Sequence, residues 1–311
     1  MPQLNNAQAR IIDPVLTNVA LGFKHTPSVG GVLFPSVPVD QRGGKIISFS
    51  KEDFMLYNTG RAPGQNTKRV QFGYGGGNYV LETHSLEGSV PIETMQEAAA
   101  IPGIDAGKRA VYSVQASIAK GLEQLQASLS RNAALYAATN KIVLSGTSQF
   151  NDATSDPVAV IENGKEQVRK KIGVRPNTMV ISANVMNIIR QHPKIVDRIK
   201  YTGRDIATNE LLASLFGVAT VVEGSAVVSD DNGVFSDVWG KDIVMAYTEV
   251  GALVDMGQPS YGYTYQLRGY PFVEEAYYER NPKSWIYPVT DERAPVIATI
   301  DAGYLIQNAV A

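Results

Sequence analysis

An α+β fold, in which long extended arms leave a compact mixed lobe, is what the sequence predicts. Three observations carry that prediction. Residues 43–79 read as a two-stranded arm, with Ile47 and Phe49 set between Ser48 and Ser50 going out, and Val70, Phe72 and Tyr74 around Gln71 and Gly73 coming back. One long helical pattern follows, at about 105–136. Beyond it, short apolar runs of strand and helix length alternate to about residue 257.

Taken in order, residues 1–43 read as an N-terminal arm. Asp13 and Pro14 can start one short helix through Val15, Leu16, Val19 and Ala20. After it, Pro27, Gly30, Gly31, Pro35 and Pro38 are too closely spaced for a regular element, while Val32, Leu33, Phe34 and Val37 predict that the segment is docked. The hairpin loop, residues 44–90, has a tip at Asn58-Thr-Gly-Arg-Ala-Pro-Gly-Gln-Asn-Thr67 with no apolar anchor. An isolated hairpin is marginal in water. This one needs something to lean on, and its length points to another copy of the chain.

Residues 91–174 contain the long helix. Asp105 is its predicted N-cap, and Val111, Val114, Ile118, Leu122, Leu125 and Leu129 recur at helical spacing on one face. At 1.5 Å per residue it would run roughly 48 Å, a spine laid across a sheet. Asp156-Pro157 predicts a second helix, to about Lys171. Residues 175–257 predict strands at 177–182, 218–222 and 242–247, with helices at 183–191 and 208–216. Residues 258–311 return as strands, with a final strand-like piece at 295–300. Nine of the 26 aromatic residues fall between Tyr261 and Tyr287. Cross-strand aromatic pairing and a nucleic-acid stacking platform both fit that pattern, and pairing is the commoner cause.

Composition narrows the function. At 311 residues the chain can bury a sizeable core, and with no cysteine it has neither disulfides nor a thiolate metal site. No apolar run reaches membrane-span length. The polar opening Met-Pro-Gln-Leu-Asn-Asn lacks a secretory signal pattern, which sets the expectation of an intracellular product. The net charge of −2 hides a segregation: residues 141–204 carry eleven Lys/Arg against five Asp/Glu, and residues 205–257 one Lys against nine acids. This is either local sampling on a solvated surface or a basic and an acidic flank suited to head-to-tail packing.

Catalytic patterns are missing. His25, His84 and His192 are far apart, with no metal-ligand spacing, and His192 before Pro193 reads as an exposed helix cap. Neither a nucleophile elbow nor a phosphate loop is present. Gly73-Tyr-Gly-Gly-Gly-Asn78 reads as a bulge or bend between strands, since a phosphate cradle needs a helix next. Glu274, Glu275, Glu279, Asp291 and Glu292 are the sole motive for a hydrolase of unfamiliar fold. Neighbouring acids on a strand point to opposite faces, so a solvated strand edge explains them better. The expectation is no catalytic residue, no cofactor and no metal. Five basic and two acidic residues from Lys45 to Arg69, with the same balance over 104–141, allow loose phosphate contact but no sequence reading.

The order of elements, with the local phrases Asp13-Pro-Val-Leu-Thr-Asn18, Leu33-Phe-Pro-Ser-Val-Pro38, Gly43-Gly-Lys-Ile46, Val180-Ile-Ser-Ala-Asn184, Gln191-His-Pro-Lys194 and Lys283-Ser-Trp-Ile-Tyr-Pro288, resembles the major capsid proteins of tailed bacteriophages, of the Hong Kong 97-type fold. The resemblance covers essentially the whole chain. It implies an N-arm (1–43), an extended loop reaching over a neighbour (44–90), a peripheral domain with its spine helix (91–174), an axial domain (175–257) and return strands (258–311). It also implies hexamers and pentamers in an icosahedral head around double-stranded DNA, built in the host bacterial cytoplasm, with a portal protein and a possible decoration protein. Some members carry a leading scaffolding segment; none is visible here, so a separate scaffolding protein is expected. Others weld subunits by a Lys–Asn bond. Lys51 and Lys68 lie in the loop and Asn281 in the later strands, but no local motif matches. The nearest rival the resemblance allows is an encapsulin-like bacterial compartment shell holding enzyme cargo.

Overall fold

A computed structural model describes residues 28–46, 59–61, 64, 66, 77–99, 105–199, 207–250 and 260–311. The arm limbs at 47–50 and 70–74, the start of the N-arm, His25, Lys51 and Lys68 lie outside the described residues.

Among the described residues, the first elements are a 3-10 turn at Gly30–Val32, then β1 (Ser36–Val39) and β2 (Gly43–Lys45). Next come β3 (Asn78–Val80), β4 (Glu82–Pro91), helix α1 (Ile92–Ala99) and the long helix α2 (Ala106–Arg131). β5 (Lys141–Val143), α3 (Pro157–Ile172), β6 (Thr178–Ser182), α4 (Ala183–Gln191), α5 (Pro193–Ile199), α6 (Asn209–Phe216) and β7 (Thr220–Gly224) follow. The remainder is β8 (Val227–Ser229), β9 (Phe235–Asp237), β10 (Ile243–Ala246), β11 (Gly262–Leu267), β12 (Phe272–Val273), β13 (Tyr277–Glu279), β14 (Ser284–Ile297) and β15 (Gly303–Gln307).

These strands make two main sheets. The first has six strands: β1, β11, β14 and β12 in order, with β13 and β4 also on β14. The second has five, in the order β5-β15-β10-β6-β7. β2–β3 and β8–β9 are separate two-stranded ribbons.

The five-stranded sheet and its helices form the lobe. β6 (TMVIS) and β10 (IVMA) are buried along their whole length, as continuous apolar runs at a sheet centre should be. Each Ile or Val sealed there contributes roughly 1.5–3 kcal/mol. The helices start and stop where the sequence places the signals. Asp156 caps α3 by accepting from the Ala159 amide at 3.1 Å, Pro157 opens the helix, and Gly173 closes it at φ 76°. Thr208 caps α6 and Gly217 ends it. Buried Lys165 reaches from α3 to donate to the Phe216 carbonyl, satisfying an acceptor at that helix end.

Four sequence expectations are corrected. The long helix stops at Arg131 rather than near Tyr136. Asn132 leaves helical geometry and its side chain accepts from the Ala134 amide, while the Tyr136 hydroxyl donates back to the Ser130 carbonyl at 2.7 Å. The predicted apolar face of that helix also holds for only half its length. Val111 and Val114 are buried over the first sheet, but farther on the buried positions are Glu123, Gln126, Ala127 and Ser130. At 100° per residue the buried face turns by roughly 125° between the two halves, leaving Leu125 39% exposed. Polar side chains replace the leucines because this half packs against backbone amides and an indole that need partners.

The last strand-like piece, expected at 295–300, is the end of a 14-residue strand, Ser284–Ile297. Pro288 is tolerated within it: its carbonyl accepts from the Glu274 amide between the short strands β12 and β13, so its missing donor falls on that side. Finally, His192 is a helix C-cap but is buried, 3% exposed, with Nε2 3.2 Å from Ser155 Oγ.

Candidate assembly surfaces

Two anchored feet flank the stretches that the sequence predicts as arms. At the first, the Glu123 carboxylate of α2 accepts three N–H groups: the Val29 amide at 3.0 Å, the Gly30 amide at 2.9 Å and Trp239 Nε1 at 2.7 Å. Glu123 is buried, so each of those bonds satisfies a group water cannot reach. Gly30 lies against Gln126, where an added Cβ would fall 2.2 Å from the amide oxygen. Only glycine allows the chain to approach that closely. Leu33 and Phe34 then sink into the core, Phe34 beside Tyr261 with ring centres 5.5 Å apart. β1 next adds in parallel to β11, Ser36 beside Thr264.

At the second foot, β2 pairs with β3 and Tyr79 stacks on Tyr265 at 4.3 Å, with Gly44 beneath the Tyr79 ring. Arg42, just ahead of β2, makes a two-pronged ion pair with Glu292 of β14, at 2.6 and 2.9 Å. Tyr270 donates to the same carboxylate at 2.9 Å. Glu292's hydrogen bond and charge hold the Arg42 guanidinium well above its ordinary pKa. Burial raises the Tyr265 hydroxyl to about 12, so it stays neutral.

The acids considered for hydrolysis are held apart by this arrangement. Asp291 and Glu292 are buried, not on a solvated edge as the sequence suggested. Asp291 pairs with Arg293 at 2.8 Å and accepts from Gln266 at 3.0 Å, while Glu292 takes Arg42. Burial lowers the Arg293 pKa against the opposing pull of Asp291. Glu275 and Glu279 are exposed and Glu274 is half-buried. No group of three metal-ligating side chains occurs among the described residues. Ser155 and His192 touch, but both are buried and Ser155 donates to the Asp152 carbonyl at 2.7 Å. Asn78 leads into strand β3, not a helix, so the glycine-rich run has no helix N-terminus for a phosphate. A groove of about 480 Å³ lies between α2, α1 and β4. Leu86, Val90, Ala98, Ala110 and Val114 line it, with Glu87 and Arg109 as its charges. It is an open trough beside a strand.

Most of the aromatic run is spent on packing, with Tyr277 and Tyr278 left exposed. Tyr261, Tyr263, Phe272 and Tyr287 are buried, and Tyr270–Phe272 and Tyr278–Trp285 meet at 4.7 and 5.7 Å. The charge segregation is partly neutralised inside the subunit, since Arg190 pairs with Glu223 and Arg131 with Asp242. The predicted docking of Val32, Leu33, Phe34 and Val37 holds for Leu33 and Phe34, which are buried at the first foot, but sequence reasoning missed the polar contacts of both feet. Glu123, Gln126 and Ser130 form a polar stripe at helical spacing that was available as a signal, but such a stripe normally faces water. Nothing local in the sequence pairs Arg42 with a residue 250 positions away. No described helix is long and apolar enough to cross a membrane.

Comparison with known proteins agrees with this architecture. The family model for phage major capsid protein E matches residues 135–287. The chain is 39% identical over 306 residues to the major capsid protein of Burkholderia phage BcepMu, covering 97% of this chain and 98% of the relative. A crystal structure of a phage-related protein from Bordetella bronchiseptica RB50 is 41% identical, covers 97% of this chain and 98% of its own, and superposes with a TM-score of 0.82. At 12% identity, a structure from Microbacterium phage Oxtober96 covers 99% of this chain and 95% of its own, with a TM-score of 0.55. Likenesses of that distant kind fix the fold, which is α+β and Hong Kong 97-type. With a relative 39% identical over nearly the full length of both chains, the chain belongs to the phage major capsid protein family.

Proposed function

We propose that this coat protein builds the closed icosahedral head of a tailed phage, as hexamers and pentamers around double-stranded DNA, and that it does no catalysis. The observation that carries the reading is the pair of anchored feet, because a chain that fixes the roots of its arms so firmly sets the direction in which they reach. On this reading residues 1–43 are an arm laid along an adjacent subunit and 44–90 a loop over a neighbour. Residues 91–174 and 258–311 make a peripheral domain, and 175–257 the axial domain around capsomer centres. Assembly takes place in the host bacterial cytoplasm on a separate scaffolding protein, with a portal at one vertex, and DNA is held by non-specific contacts of modest basic excess.

Negative-stain electron microscopy of the expressed protein after size-exclusion chromatography, alone and with a candidate scaffold, is the test. Closed shells or hexamer and pentamer rings are expected. A persistent monomer under both conditions would contradict the reading, and shells holding enzyme in place of DNA would move it to a compartment shell. Deleting residues 50–74 should leave a folded subunit that forms no stable shell.

A further inference from the structure

The β8–β9 ribbon is the most exposed apolar feature of the described surface. Phe235 is 73% exposed and Val234 62%. Solvent exposure of a large ring on a hairpin is unfavourable unless something covers it. The turn that presents it is rigidly built. The Asp230 side chain accepts from the Asn232 and Val234 amides at 2.9 and 2.8 Å, its backbone exchanges hydrogen bonds with Gly233 and Val234, and Gly233 takes the left-handed φ of 79°. A preorganised turn loses little freedom on docking. Next to it, the exposed Asp231 has no ion-pair partner among the described residues.

The complementary surface is at the far end of the five-stranded sheet, from whose strand β7 the separate ribbon leads off. β6 and β7 run parallel, Thr178 beside Thr220 and Ser182 beside Gly224, and the ribbon leaves just past Gly224. The C-terminal turn of α3 lies at the Thr178 end: Lys171 pairs with Asp301, just ahead of Gly303, which aligns with Ala246 and through it with Thr178. Arg169, Lys170 and Arg175 gather there around Glu166, whose carboxyl they hold below its ordinary pKa, Arg169's hydrogen bond first. Three cations face one anion. Val250, 52% exposed, follows β10 at this same end. Acidic and basic ends on opposite sides of one lobe cannot meet within a subunit. They fit head to tail between copies.

We propose that the residue 227–237 ribbon docks on a second copy of this chain, with Val234 and Phe235 covered by that copy's Val250 surface and Asp231 set beside its Lys170 and Arg175. The proposal rests on the shell-forming reading and specifies one contact within it.

Because the chain has no cysteine, an Asp231→Cys/Arg175→Cys double variant can be treated with a short bis-maleimide. A ladder of linked multimers on a denaturing gel is expected from the double variant and none from either single one. Phe235→Ser should keep the subunit's melting temperature while lowering its association constant about tenfold or more. Asp231→Lys and Arg175→Glu should each impair association, and the two together should restore it. If wild-type shells form while the double variant gives no ladder and Phe235→Ser assembles normally, the contact is wrong and the shell reading stands. A ladder without closed shells would keep the contact and count against the shell. Neither ladder nor shells would overturn both.

Discussion

Strands β6 and β10 of the lobe bury every residue they have, whereas the ten-residue β4 of the six-stranded sheet buries one, Val90. The contrast extends to the layers themselves. Around the lobe's central strands, α3, α4 and α6 close an apolar core that includes Ile161, Met186, Ile189, Leu212 and Phe216. The six-stranded sheet packs two smaller clusters, six buried residues around Val111 and Val289 and three around Tyr79, and three consecutive charged residues, Asp291, Glu292 and Arg293, are buried within it. β4 pairs with β14 along one edge, and no strand pairs its other edge among the described residues. One region completes itself. The other is held by ion pairs and anchored segments, and leaves a strand edge unpaired among the described residues.

Substitutions should separate the two regions, most sharply in the lobe. Ile181→Ala opens a cavity at its centre and should cost about 2–5 kcal/mol of subunit stability in denaturant unfolding. Glu123→Ala strands two backbone amides and the Trp239 indole, and should cost about 3 kcal/mol. In limited proteolysis it should also release the segment around residues 28–34 before the lobe is cut. Arg42→Ala should cost only about 1–2 kcal/mol, because Arg42 is itself largely solvated while Glu292 keeps Tyr270. Its larger effect should fall on shell yield, by loosening the arm foot.

A smaller loss, about 1 kcal/mol, is expected from Asp156→Ala at the α3 cap. The Ala159 amide holds the Asp156 carboxyl below its ordinary pKa. The wild-type advantage should therefore persist at neutral pH and fade as acid protonates that carboxyl, which a pH series of melting curves would show. The smallest effect on the isolated subunit, under about 0.5 kcal/mol, belongs to Phe235→Ser. That variant should be visible only in association.

The lobe is the more legible region for the same physical reason that it buries the larger apolar core. Its elements are local: Asp156-Pro157 and Gly173 bracket α3, Thr208 and Gly217 bracket α6, and the apolar runs at β6 and β10 announce buried strands. The outer layer depends on partners far apart in sequence. Glu123 reaches Val29 and Trp239, and Arg42 reaches Glu292, so spacing rules had nothing to detect. The helix face was misread in its second half because leucine periodicity reports what a helix could bury, while the tertiary setting decided what it does bury. β14 was under-read for a related reason: Pro288 and Pro295 look like breaks until the gap between neighbouring strands that receives Pro288 is known.

The central claim is that the lobe is complete in a single subunit and the outer layer is completed by other copies. Hydrogen–deuterium exchange, compared between free subunits and assembled shells, tests it most directly. The account predicts unchanged strong protection in β6, β10 and β15, with protection gained on assembly in β4, the arm feet and the 227–237 ribbon. Equal protection of β4 and the arm feet in free and assembled protein would contradict it.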